Sequence, residues 1–275
     1  TDPEHAQECA READEFLATI QRSFPTKPHR RFPGAIPASP HRRMDSGAIG
    51  SIVADYPLQL FPPGDPWITK TVDYLCHQHL QSGGFFQNMI HSGINAYLTL
   101  HLAQVRLRAG DAAGAWALMD AVVALASPTG QWPEAIHPLT FGGCMGDGQH
   151  IWAAAEWLMM LRHLFVREET GAAEAAGGAA AELERRIHLV IGAGVRPEWL
   201  KDGDVSFGPT LTPFGPVTVR CTRNAGSVLI DVEGKWRAAP PRRELRVPGY
   251  APVDVAAGDP RSEFLLPAQD ASAHS

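Results

Sequence analysis

Two apolar-striped segments, Asn95 to Arg108 and Asp111 to about Ala126, are separated by little more than Gly110. Leu98, Leu102 and Val105 recur at helical spacing in the first, and Trp116, Met119, Val122 and Val123 in the second. A glycine just past one helix and an aspartate opening the next make a tight join, so the pair reads as an antiparallel helical hairpin. The rest of the first two thirds follows the same pattern. Pro3 to Phe24 carries Ala6, Ala10, Ala13, Leu17 and Ile20 in register, with Asp2 as a candidate N-cap. Asp45 to Tyr56 reads as a helix stopped by Pro57, and Asp65-Pro66 opens another that Gly83-Gly84 ends. Gln149 to Glu168 is apolar nearly all round, as a helix buried on most sides would be.

Beyond residue 170 the character changes. An Ala/Gly-rich connection (171–185) precedes β signals at Ile187–Ile191, Val217–Cys221, Val228–Val232 and Glu244–Val247. The expected organisation is a helical-hairpin portion over 1–170, a small β-sandwich-like domain over 186–250 and an irregular tail over 251–275, mainly α in class.

A net charge of -6 gives no electrostatic reason for nucleic-acid or anionic-membrane partners. The apolar runs are too short and too interrupted to span a bilayer. Four cysteines spread over 275 residues, with no CxxC, argue against a disulfide framework or a structural zinc, and read as mostly buried thiols. Low cysteine use and the lack of a visible leader favour a cytoplasmic setting, although the first residue is not Met and the true start is therefore open. His137, His150 and Asp147 could in principle gather an ion, but there is no HExxH and no i, i+4 pair, so no metal or other cofactor is expected. A GxSxG elbow and the phosphate-loop and dinucleotide fingerprints are missing too.

Long loops between helices carry the candidate chemistry. The richest, Ser127 to His150, holds Glu134 directly after Trp132-Pro133, together with His137, Asp147 and His150. An aromatic ring, a carboxylate and histidines suit a sugar, whose apolar face stacks while its hydroxyls are hydrogen-bonded. Pro133 would stiffen the backbone before Glu134. A second loop offers Arg43 and Asp45, the latter also a plausible N-cap. A third, Ser82 to Asn95, offers Phe85, Phe86, Gln87 and His91.

The order T-G-x-W-x-E-x-x-x-P over Thr129 to Pro138, then Gln149-His150, then Glu156-Trp157-Leu158, resembles the six-hairpin glycosidases. The nearest pattern is that of the α-L-rhamnosidase-like and glucoamylase-like enzymes. Thr212-Pro213-Phe214-Gly215 before a strand is similar to their following β-domain, and the likeness spans residues 85 to 235. It implies an (α/α)6 toroid, of which this chain would be the second half, followed by a small C-terminal β-domain. It also implies a glycoside hydrolase of inverting mechanism, with Glu134 as general base and Trp132 stacked on the sugar. His137, Asp147, His150, Gln87 and Arg43 would contact hydroxyls. Inversion needs a second carboxyl as general acid, for which Asp45 is the best-placed substitute in the chain. The expected partners are a carbohydrate and either the missing half of the ring or a second copy of the chain. The competing reading is a carbohydrate-binding or scaffold relative that lacks the acid. A lyase would want a Tyr/His base pair, and a cyclase a DDxxD repeat.

Overall fold

The computed structural model describes residues 2–23, 33–39, 41–89, 92–146, 148–170 and 187–269. Among these the chain divides into two compact units, one running to Met160 and one from Leu161, a division that falls inside a helix.

In the first unit the capping residues set the helix boundaries. Helix α1 spans Pro3–Ser23. A 3-10 helix covers Ser46–Ala54, and α2 covers Pro66–His79, opened by Asp65, whose carboxylate accepts from the backbone N–H groups of Trp67 and Ile68. Asn95 caps α3 (Ala96–Arg108), and Asp111 caps α4 (Ala112–Ala124) by accepting from Gly114 at 2.8 Å. Gly110, at φ +85°, makes the turn between them, and α3 and α4 pack as the expected hairpin. Helix α5 follows over Ile151–Phe165.

The segments between the helices also pair with one another. Strands β1 (Leu80–Gln81), β2 (Gly84–Gln87), β3 (Gly93–Ile94), β4 (Ala135–Ile136) and β5 (Gly143–Met145) form an antiparallel meander in that order. Its centre is apolar: Phe85, Ile94, Ala135 and Ile136 are fully buried, with Leu75, Leu100 and Val122 from the surrounding helices. The glycines of this sheet answer to packing. A Cβ on Gly84 would lie 2.5 Å from Ile94 Cγ2, and one on Gly93 would lie 2.7 Å from Ala135 Cβ.

The second unit holds two four-stranded sheets. One is mixed, with order β12-β11-β7-β6, built from β6 (Val166–Thr170), β7 (Ile187–Ile191), β11 (Arg243–Leu245) and β12 (Val253–Val255). In it β7 and β11 run parallel. The other is antiparallel, with order β13-β10-β9-β8, from β8 (Asp204–Thr212), β9 (Gly215–Asn224), β10 (Ser227–Gly234) and β13 (Glu263–Pro267). A short 3-10 helix covers Pro197–Leu200. Strand β9 alternates cleanly, with Val217, Val219 and Cys221 inside. Phe165 stacks on Phe207 at 5.5 Å between ring centres.

Several expectations are corrected here. The protein is mixed α/β, not mainly α, and an (α/α)6 toroid is not supported: the meander and two further sheets stand beside the helices. Strands of two to four residues carry too few positions to show a period of two, so the first unit read as helices and loops. Residues beyond 251, expected to be irregular, carry β12 and β13. Helix α5 is not buried on most sides, since Ile151, Trp152, Leu158 and Met159 are exposed. Of the four cysteines, all free, only Cys221 is buried. The Ala/Gly-rich connection lies outside the described residues.

Candidate functional site

The first turns of α3 and α5 meet at the Glu134 loop. Asn95, besides capping α3, donates from Nδ2 to the backbone carbonyl of Glu134 at 2.8 Å. His150, just before α5, donates its backbone N–H to the carbonyl of Trp132, also at 2.8 Å. The loop is thus pinned on both sides of Pro133, and the Glu134 side chain is left half-buried.

Tyr97 sits at the centre of this end. Its ring lies 5.2 Å from that of His150, 5.7 Å from Trp152 and 5.8 Å from His101. Burial pushes the Tyr97 hydroxyl above its ordinary value, and the nearby Glu134 charge pushes it further, against a hydrogen bond to Asn95. Trp152 is 63% exposed, which leaves an aromatic face open to solvent beside Glu134's neighbour. The Nδ1 of His150 is buried and has no hydrogen-bond partner among the described residues.

A second carboxylate stands deeper between the same two helices. Glu156 of α5 accepts from the Tyr56 hydroxyl at 2.6 Å and from Gln104 Nε2 at 3.3 Å, both on Oε1. Its Oε2 lies 3.5 Å from His101 Nε2. Burial alone would raise its pKa, but the hydrogen bonds from His101, Tyr56 and Gln104 and the charge of His101 outweigh that and hold it below the usual carboxylate range. Glu156 is therefore a fixed anion near neutrality.

The other expected site residues are placed as follows. Trp132 is 7% exposed, donates its ring N–H to the Val122 carbonyl at 2.8 Å and packs on Trp157. It supports the loop from below, and its face is not available for stacking. His137 organises the 137–142 turn: its Nδ1 accepts from the backbone N–H groups of Leu139 and Thr140, each at 3.2 Å. Asp45 caps the first 3-10 helix through Gly47 and is paired with Arg42 at 2.8 Å. Its charge falls on Tyr74 and His79. Arg43 is exposed, and Gln87 ends β2 opposite Gly93. Asp147 and His91 lie outside the described residues. An apolar groove of about 390 Å³ between α1 and the segment around Val53, Leu58 and Leu60 takes in none of these residues. Among the described residues no group of three or more His, Cys, Asp or Glu could hold a metal ion, and no helix is long and apolar enough to cross a membrane.

Tyr97, His101 and Trp152 are not among the candidate site residues of the sequence, and Glu156 enters only as part of the Glu156-Trp157-Leu158 motif, yet a signal exists. Tyr97, His101, Gln104 and Arg108 recur at helical spacing within α3, and Glu156 is the lone carboxylate of a largely apolar α5.

No protein-family profile matches the chain, and no curated protein sequence matches it. Among solved structures, the chain is similar to a wild-type glycosidase and to a glycosidase variant in complex with glucose. The TM-scores are 0.45 and 0.44, and both share 17% identity over 55% of this chain. The match covers 42% of each of those structures. A likeness this slight assigns neither the fold nor the activity.

Proposed function

We propose that the chain belongs to a glycoside hydrolase, with Glu134 as the general base of an inverting mechanism. The observation that carries this reading is the convergence of α3 and α5 on Glu134. A half-buried carboxylate is pinned through its own backbone by Asn95 and set against Tyr97, with His150 and the exposed ring of Trp152 alongside. A pinned carboxylate can take a proton from a water aimed at an anomeric carbon. Open aromatic faces suit the C–H side of a sugar, and the orphaned Nδ1 of His150 suits a hydroxyl. In this reading Trp152 and Tyr97 take the stacking role first assigned to Trp132. The order of residues 129–158, which resembles that of α-L-rhamnosidase-like enzymes, supports the same assignment.

Glu134→Gln keeps the shape of the side chain and removes its basicity. Sugar release from a panel of aryl and natural glycosides is expected to fall by about 10²–10⁴-fold while the protein stays folded. Release unaffected by the substitution would sink the role of Glu134.

One observation favours a second reading, a carbohydrate-binding relative without catalysis. Asp45, the expected general acid, is engaged as a helix cap and with Arg42. Binding of a sugar with no release by the unaltered chain would select it.

A further inference from the structure

The hydrolase reading lacks a proton donor for the leaving group, and the surroundings of Tyr97 supply one. We infer that His101, held by Glu156, is the general acid of the reaction in which Glu134 is the base, an inference that rests on the hydrolase reading above.

His101 is 27% exposed at its side chain and gripped edge-on by two rings, Tyr56 at 5.6 Å and Tyr97 at 5.8 Å between centroids. Tyr97, whose ring packs on His101, is also the side chain whose hydroxyl feels the Glu134 charge, so the imidazole and the carboxylate act on the same tyrosine. Glu156 faces Nε2, and Glu156 is itself fixed by Tyr56 and Gln104. The other ring nitrogen, Nδ1, makes no hydrogen bond among the described residues. A carboxylate on one nitrogen fixes the ring's orientation and leaves the second nitrogen to act on a substrate.

The neighbours are poorer donors. Glu156 is held as an anion with both oxygens engaged. Burial and the Glu134 charge make the Tyr97 hydroxyl a weaker acid than usual. Tyr56 already donates to Glu156. Imidazole is the side chain whose proton affinity ordinarily lies near neutrality. The titratable groups that face it are Glu156 from α5, Tyr56 from the segment after the first 3-10 helix, and Tyr97 from its own helix.

The step balances. The bond from the anomeric carbon to the glycosidic oxygen breaks as Nδ1–H passes its proton to that oxygen, which leaves as an alcohol. The oxygen of water bonds to the anomeric carbon, and the water's proton goes to Glu134. Solvent then carries that proton from Glu134 back to His101. Glu156 takes no proton; it is a positioning residue.

The test uses leaving groups of graded acidity on the full 275-residue chain. His101→Gln is expected to lower kcat by about 10²–10⁴-fold on an alkyl glycoside but by less than about tenfold on a dinitrophenyl glycoside, whose leaving group needs no proton. KM should change little in either case. Glu156→Gln should show the same dependence on leaving group, to a smaller degree. An equal loss on both substrates would mark a structural role and overturn the proposal, as would no loss at all. Thermal melting close to that of the unaltered protein guards against misfolding. If the unaltered chain hydrolyses no glycoside, the hydrolase reading and the acid role fall together, and carboxyl NMR decides whether the pair exists. In that measurement the Glu156 titration should move up in His101→Gln, and an unmoved titration would remove the pair as well.

Discussion

Among the described residues, the most deeply buried arginine of each unit, Arg108 in the first and Arg243 in the second, is held in a different way. In the first unit Arg108, at 3% side-chain exposure, meets Asp55 at 1%, Nη1 to Oδ1 at 2.5 Å. Charge answers charge, with the Asp55 and Phe61 carbonyls also accepting from the guanidinium at 3.0 and 3.5 Å, and the end of α3 is tied to the chain just after the first 3-10 helix. In the second unit Arg243 is fully buried on β11 and donates to two backbone carbonyls, Arg261 at 2.9 Å and Asp259 at 2.6 Å. Its guanidinium also lies 5.2 Å from the Phe264 ring centre and 5.9 Å from that of Trp236. Helix ends bring side chains together from distant segments, so a carboxylate can be placed opposite a cation. Around Arg243 the chain at 259–261 presents carbonyls, which spread the charge over backbone dipoles, whereas the buried Arg167 of β6 meets the Glu169 carboxylate at 3.4 Å. The first arrangement fails sharply when one partner goes, whereas the second depends on the path of the chain.

Arg108→Ala presses this contrast hardest. It strands Asp55 as an uncompensated buried charge, at a cost of about 3–5 kcal/mol. Denaturant unfolding followed by hydrogen exchange should place the loss in the first unit, and a loss under about 1 kcal/mol would mean that Asp55 finds another cation or protonates cheaply. Gly84→Ala is the next largest. Its new methyl would meet Ile94 at 2.5 Å and Leu125 at 2.9 Å, and overpacking of this kind costs about 1–3 kcal/mol. An unchanged unfolding midpoint would show the meander to be looser than the sheets of the second unit.

The smallest effect concerns pH. The Glu244 carboxyl is drawn down from 4.5 to about 2, chiefly by its hydrogen bond from His188 and further by Arg246, against the effect of burial. A folded-state value below the unfolded one stabilises above the ordinary carboxylate range, and this contribution is lost as pH falls from about 4.5 toward 2. In Glu244→Gln, acid-unfolding curves should be flatter than those of the unaltered protein across that window. Curves that superimpose would remove the His188–Glu244 pair from the account of the second unit.

The same contrast explains what could be read in advance. Asp65, Asn95 and Asp111 announce helices because capping is a local matter between a side chain and the next few N–H groups. The alternation of Val217, Val219 and Cys221 announces β9 because ten residues give the period room to show. Nothing local marks Ala135–Ile136 as a strand; the partners of Ile136 are 42 and 7 residues away, at Ile94 and Gly143. Gly84 reads as part of a helix stop, although a neighbouring side chain, Ile94, is what excludes its Cβ. At the site, Glu134 and His150 could be chosen from one loop. The chain could not show that Trp132 points into the core while Trp152, twenty residues later, faces out. Nor could it show that Asp45 is engaged elsewhere, or that Glu156 meets Tyr56 a hundred residues back.

Tyr97, His101, Gln104 and Arg108 recur at helical spacing along α3, the first packed on His150, the next two on Glu156 and the last paired with Asp55. Their alignment is a matter of rotational phase, because one inserted or deleted residue turns everything beyond it by about 100°. Length changes inside this helix would therefore part the imidazole from its carboxylate and the guanidinium from Asp55 at a stroke. Changes in the turn after Arg108 would leave the phase intact. Tolerance to insertion should thus change abruptly at the end of α3, a boundary set by geometry with no dependence on which side chains are present.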